Sequence, residues 1–101
     1  MDKVLINIAS VQLSAQVIRA VKHKVRIKLL TLLEKHKELS VTVIYTKLKI
    51  SQVAVSGHLS VLREVGLVSS RRVGKMRYYS LVVTRVAEIN EYARLLANLV
   101  V

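Results

Sequence analysis

Two side chains near the start of a short helical segment could make hydrogen bonds to nucleic-acid bases. Gln52 and Ser56 are four positions apart, about one turn of a helix, so they would lie on one surface. A Gln amide can pair with two atoms of an adenine edge, and a Ser hydroxyl can bond to several bases. Their types and spacing therefore predict base contacts from the beginning of this helix.

Start and stop signals predict two helices around these residues. Thr42 and Ser51 are residue types that cap a helix by accepting a hydrogen bond from a first-turn N–H, and Gly66 tolerates the left-handed conformation that ends one. The result is a helix-turn-helix over residues 42–65, whose second helix of about 15 residues suits a major groove. Two ordinary packed helices with polar outer faces would show the same pattern. Residues of this unit predicted to contact the DNA backbone or cap a helix are Ser51, Thr42, Lys47, Lys49 and Arg63.

A basic hairpin is predicted directly after this unit, over residues 67–82. Gly74-Lys75 is a Gly-X pair typical of a two-residue turn between strands. Arg suits phosphates and the narrow minor groove better than Lys, so a hairpin rich in Arg predicts a DNA contact. The alternative is a solvated edge hairpin whose charges protect it from aggregation. The cations around the turn, with no acid among them, are Arg71, Arg72, Lys75 and Arg77.

Charge and hydropathy divide the chain into a basic centre and neutral ends. The net charge is +11, nearly all of it within residues 22–80, which indicates a polyanionic partner. A first basic run over residues 22–28 fits either a phosphate contact or a solvated helix face. The hydrophobic fraction of 52% and mean hydropathy of +0.41 are high for a small monomer, so the apolar ends predict a subunit interface.

Several classes of function and site are excluded or disfavoured by composition. The chain has no cysteine, which excludes disulfides and thiolate metal sites. No catalytic motif is present, so the protein is predicted not to be an enzyme, with no metal or cofactor. His23 and His36 lie at opposite ends of one predicted helix, and His58 either packs beneath its helix or contacts phosphate. No signal peptide and no apolar run of about 18 residues are found, which predicts a cytoplasmic protein without membrane contact.

The periodicities predict a mainly α fold with a small β-hairpin (α+β), in the order α-α-(β)-α-α-β-β-α. Residues 1–101 form a single domain in this interpretation. A short strand is expected over residues 39–41, and helices over residues 1–21 and 83–101 flank the centre. Apolar residues assigned to a dimer interface on these helices are Leu5, Ile6, Leu13, Val17, Ile89, Tyr92, Leu96 and Leu99.

The segments SQVAVSGHLSVLREVGLV and RRVGKMRYYSL resemble the ArsR-type winged helix-turn-helix regulators, and the resemblance covers about residues 22–100. It implies a homodimer, joined through its first and last helices, that represses promoters by binding inverted repeats. It also implies that Gln52, Ser56, Gly57 and His58 lie on the DNA-contacting face and that residues 71–77 form the wing.

Two departures from the family pattern affect these expectations. Metal sensors of this family carry cysteine before the recognition helix or Asp and His on the last helix; here residues 39–48 have no cysteine, and the last helix offers only Glu88, Asn90 and Glu91. Metal sensing is therefore not expected. Gly57 replaces a longer polar residue and weakens the helix by about 0.5–1 kcal/mol relative to Ala, which indicates lower specificity or a closer approach of the backbone to DNA.

Three functions remain open from the sequence. The first is a homodimeric, sequence-specific regulator of transcription, a repressor by family habit, that binds double-stranded DNA without a metal effector; a small-molecule effector is unknown. The second is a non-specific architectural protein that binds DNA or RNA. The third is a winged-helix module that binds an acidic protein through its basic surface.

Overall fold

The computed structural model describes the backbone of residues 15–100 and the side chains of residues 15–91 and Arg94. Residues 15–21 are helical and are called α1. The following elements are α2 (Lys24–Lys35), β1 (Leu39–Ser40), α3 (Val41–Leu48), α4 (Gln52–Glu64), β2 (Val68–Val73), β3 (Met76–Leu81) and α5 (Val83–Val100). This order confirms the predicted α+β arrangement, in which helices surround a short strand and a hairpin.

The helices α3 and α4 are both capped by serine hydroxyls. Ser51 Oγ accepts a hydrogen bond from the Ala54 N–H at 3.1 Å, as the sequence predicted. Ser40 Oγ accepts from the Val43 N–H at 3.2 Å, so the prediction of Thr42 as the cap of α3 was wrong. Ser40 ends β1 in an extended conformation, which is the geometry that an N-cap requires. The strand therefore leads into α3 without a linker, and Thr42 lies inside the helix.

Three residues with positive φ shape the ends of α3, α4 and the hairpin. Lys49 follows α3 with φ 58°, and Gly66 ends α4 with φ 78°, as predicted. Gly74 has φ 60° and begins the two-residue turn between the paired residues Val73 and Met76, which confirms the predicted hairpin. Lys49 is the one non-glycine residue in this conformation among those described, and a side chain there costs about 1 kcal/mol.

The sheet is antiparallel, with the strand order β1-β3-β2. Tyr79 in the central strand pairs with Leu39 on one side and Ser70 on the other. Tyr79 is buried, and Leu81, which shares its face of the strand, packs against the core. Both residues therefore face the core, and the opposite face of the hairpin points away from the helices.

The centre of the core comes from three helices. The side chains of α2, α3 and α4 that are most completely buried there are Leu29, Leu33, Ile44, Val55, Leu59 and Leu62. Half of these belong to α4, which fixes one side of that helix against the body of the protein. The other side of α4 is left available.

Candidate nucleic-acid interface

The helix α4 has an exposed surface opposite its buried stripe, here called the outward face. It consists of Val53, Gly57 and Ser60, which recur at helical spacing. Val53 is 84% exposed, and the other two residues are also exposed. Because α4 has 13 residues, it is about 20 Å long, and a helix of this size fits a major groove about 12 Å wide.

The two predicted base-contacting side chains lie beside the outward face. Gln52 is exposed at the first position of α4, and Ser56 is half-buried one turn later. By helical periodicity both lie on the same flank of α4 as Arg63. The first turn of a recognition helix is the part that meets base edges, and Gln52 is the one long polar side chain there.

Gly57 has no structural requirement to be glycine. A Cβ at this position would meet no atom within 4 Å, and the backbone φ angle of Gly57 is not positive. The space beside it is open, so the missing side chain leaves the helix backbone itself at the surface. This arrangement allows another molecule to approach the backbone of α4 closely.

His58 points towards α2 and away from Gln52 and the outward face. Its ring centroid is 4.4 Å from that of His23, with the planes inclined by 48°. His58 borders the buried stripe because it is three residues from Val55, so the expected base contact does not fit this position. Partial burial lowers the pKa of His58, and the nearby charges of His23 and Arg26 lower this pKa further.

Two arginines converge on one hydroxyl between α4 and the hairpin, in an arrangement here called the Ser70 cluster. Arg63 Nη1 donates to Ser70 Oγ at 3.3 Å, and Arg77 Nη1 donates to the same oxygen at 3.1 Å. Neither arginine belongs to an ion pair in the described part of the chain. Two guanidinium groups beside one neutral oxygen form a suitable site for a phosphate.

The four cations of the hairpin are not equivalent. Arg71 forms two hydrogen bonds of 2.7 Å to the carboxylate of Glu38, and its guanidinium carbon lies 5.5 Å from the centre of the Tyr78 ring. This contact with Arg71 holds the pKa of Glu38 below its usual value. Arg71 is thus paired within the protein, although its side chain is still 62% exposed, and its assignment to the DNA-contacting wing stays a prediction. Arg72 and Lys75 are exposed at the tip, where Arg72 Nε donates to the Gly74 carbonyl at 3.1 Å.

The remaining predicted backbone contacts lie around the turn between α3 and α4. Lys47 and Lys49 are exposed there, and Thr42 is exposed in the first turn of α3. Ser51 uses its hydroxyl to cap α4. Because the α4 N-terminus carries a partial positive charge, this region favours an anion.

The first basic run surrounds the N-terminus of α2. His23 caps this helix, because its Nδ1 accepts a hydrogen bond from the Val25 N–H at 3.2 Å. The first turn has no acidic residue, and Lys22 and Lys24 are exposed. Arg26 is half-buried, and its Nε has no hydrogen-bond partner among the residues that the structure describes. Both alternatives for this run, a phosphate contact and a solvated face, fit this arrangement.

An apolar groove of about 350 Å³ lies between α1, α2 and α5. Val17 also lines this groove, but it is only 2% exposed and belongs to the core, so its assignment to a dimer interface stays a prediction. The neighbouring Ile18 is 50% exposed and lines the groove, together with the half-buried Ile89. Of the other predicted interface residues, Leu5, Ile6 and Leu13 lie outside the described residues, as do the side chains of Tyr92, Leu96 and Leu99.

The roles of four residues were not predicted from the sequence. Val53 and Ile18 are apolar residues whose exposure depends on how their helices are oriented, and the apolar pattern does not distinguish them from their buried neighbours. His23 precedes α2, where a capping role could have been considered. Ser70 gave no signal, because its two arginine partners come from different elements.

No group of three or more His, Asp or Glu residues within residues 15–100 could hold a metal ion. The helices in that same range include none that is long and apolar enough to cross a membrane.

Comparisons with known proteins agree with this geometry. The family described as "Bacterial regulatory protein, arsR family" matches residues 23–70. An uncharacterized HTH-type transcriptional regulator of Methanocaldococcus jannaschii is 33% identical over 76 residues, which cover 75% of this chain and 85% of the relative.

Solved structures show the same fold. HlyU from Vibrio cholerae is 31% identical, with a TM-score of 0.71 and coverage of 85% of this chain and 94% of that one. A homodimeric winged helix-turn-helix DNA-binding domain from Mycobacterium bovis, a possible ArsR-family regulator, is 29% identical, with a TM-score of 0.73 and coverage of 89% and 82%. These relatives are transcription regulators rather than enzymes. On this identity and coverage, the chain belongs to the arsR family of bacterial regulatory proteins.

Proposed function

We propose that this regulator is a homodimer that represses transcription by binding an inverted repeat in double-stranded DNA. In this proposal α4 enters the major groove, and the hairpin contacts the flanking minor groove or phosphates. The outward face of α4 carries the proposal, because it is exposed while the opposite side of the same helix is fully buried. The two arginines of the Ser70 cluster lie beside it, form no ion pair among the described residues, and suit the DNA backbone.

A two-fold dimer is supported by the apolar groove between α1, α2 and α5. Ile18 leaves half of its surface exposed there, and a second copy of the chain would cover it. The relative from M. bovis is described as homodimeric. Two recognition helices related by a two-fold axis would meet half-sites about 34–36 Å apart, which is one turn of DNA.

We further propose that metal ions do not control this regulator. The chain has no cysteine, which removes the thiolates that hold soft metals. Its last helix offers carboxylates and an amide from Glu88, Asn90 and Glu91, but no histidine.

The test is selection of genomic DNA fragments by the purified protein, followed by footprinting at about 0.15 M salt. A protected inverted repeat, together with a dimer in analytical ultracentrifugation, is the expected result. Binding to six to ten phosphates would also lower the affinity about 10³–10⁵-fold between about 50 and 200 mM salt. Weak salt dependence, or a monomer on the DNA, would contradict the proposal.

A non-specific architectural role is the second candidate. It is favoured by the outward face, where Val53, Gly57 and Ser60 offer no long polar side chain. Equal affinity for selected and random duplexes, with steep salt dependence, would support this role and exclude the first.

A further inference from the structure

Val53 is the most exposed of the large hydrophobic residues in the described part of the chain, at 84%. It is the second residue of α4 and lies directly opposite the buried stripe. Its isopropyl group contributes almost nothing to the core. A single exposed valine is unremarkable on most surfaces, but here it stands in the first turn of the helix expected to meet base edges.

The surroundings of Val53 leave it accessible to a flat partner. Gly57 lies one turn further along the same face, with nothing within 4 Å of its absent side chain. Ala54 and Ser60 are exposed and small. No neighbouring side chain on this face therefore extends as far as the isopropyl group, and Val53 would reach the floor of a groove before any of them.

The major groove has one apolar feature, the C5-methyl group of thymine. We propose that Val53 determines specificity by packing against the C5-methyl group of a thymine in each half-site. Gln52, the adjacent residue, supplies the amide that pairs with adenine. Together the two side chains favour A·T pairs at the position met by the first turn of α4. This inference rests on the proposed function and names what its recognition helix selects.

The test uses a duplex from the selection experiment in which each thymine is replaced singly by uracil, which removes only the methyl group. Affinities are measured by fluorescence anisotropy for the unsubstituted protein, for Val53→Ala and for the control Val83→Ala. Val83 is 73% exposed at the start of α5, so it matches Val53 in type and position within a helix. Circular dichroism verifies that both variants fold.

The unsubstituted protein and Val83→Ala should each lose roughly fourfold in affinity at one thymine per half-site, the effect expected for one buried methyl group. Val53→Ala should bind the thymine and uracil duplexes equally at that position. If specific binding persists but no methyl effect depends on Val53, this inference is overturned and the proposed function stands. If selection enriches no sequence at all, both fail.

Discussion

Replacing Gly57 by alanine should stabilise the fold while weakening DNA binding. The added Cβ meets no atom within 4 Å, and the backbone at Gly57 does not have a positive φ, so the protein itself presents no steric cost. Alanine in a helix interior is favoured over glycine by about 0.5–1 kcal/mol. For a domain of this size that gain raises Tm by about 2–8 °C.

The effect on DNA binding has the opposite sign. In the proposed complex the DNA enters the gap that Gly57 leaves between the side chains of Val53 and Ser60, so a methyl group in that gap would push α4 away from the base edges. Overfilling a well-packed contact costs about 1–3 kcal/mol, which corresponds to an affinity about 5- to 150-fold weaker.

Thermal unfolding would measure the change in stability, at one fixed protein concentration because the Tm of a dimer depends on concentration. Anisotropy titration with the selected duplex would measure the change in affinity. Ser60→Ala is the matched control, because it raises helix propensity on the same face but removes volume instead of adding it. A Gly57→Ala protein that is more stable and binds DNA as tightly as before would refute the proposed close approach. Equal losses of affinity in both variants would refute the role of the added volume.

Four further changes test other parts of the structure. Arg77→Ala should weaken binding to all DNA sequences and reduce the slope of log affinity against log salt by about one. Arg71→Ala should change that slope less, because the Arg71 guanidinium is already held by Glu38. Equal slopes for the two variants would contradict this difference between the two arginines. Lys49→Gly should raise the free energy of unfolding in urea by about 0.5–1 kcal/mol, because glycine removes the steric cost of a side chain in a left-handed conformation. A lower free energy of unfolding would contradict this explanation. In the folded protein the pKa of His58 lies below its ordinary value of 6.5, so the unfolded chain binds more protons than the folded chain as the pH falls past 6.5. The free energy of unfolding measured in urea should therefore decline between about pH 7.5 and about pH 5.5. His58→Gln should make this decline shallower. Zinc or chelator should leave the affinity for the selected duplex unchanged, and release of DNA by zinc would overturn metal independence.

Features set by local chemistry could be predicted from the sequence. Ser51 caps α4 because its hydroxyl needs only an N–H three residues away, and Gly66 and Gly74 occupy positive φ angles that few other residues tolerate. Thr42 was misassigned because positions 40 and 42 both carry hydroxyl residues, and the choice between them depends on where β1 ends.

Features set by distant contacts could not be predicted. The pair of Arg71 with Glu38 joins residues 33 positions apart, and the contact between the His58 and His23 rings requires α4 to pack against α2. Val17 and Ile18 are adjacent apolar residues on α1, and only the rotation of that helix decides which of them enters the core. The sequence indicated the apolar helix but had no information on its rotation.

The division of α4 into a buried stripe and an outward face has a consequence for how such a regulator can change over evolutionary time. Substitutions at Val53, Gly57 or Ser60 leave the buried residues of the same helix untouched, so in the proposed complex they would alter the preferred binding site without endangering the fold. A regulator of this kind could therefore acquire a new target through successive single substitutions, with every variant along the way still able to fold. The residues that hold the helix in place have no such freedom.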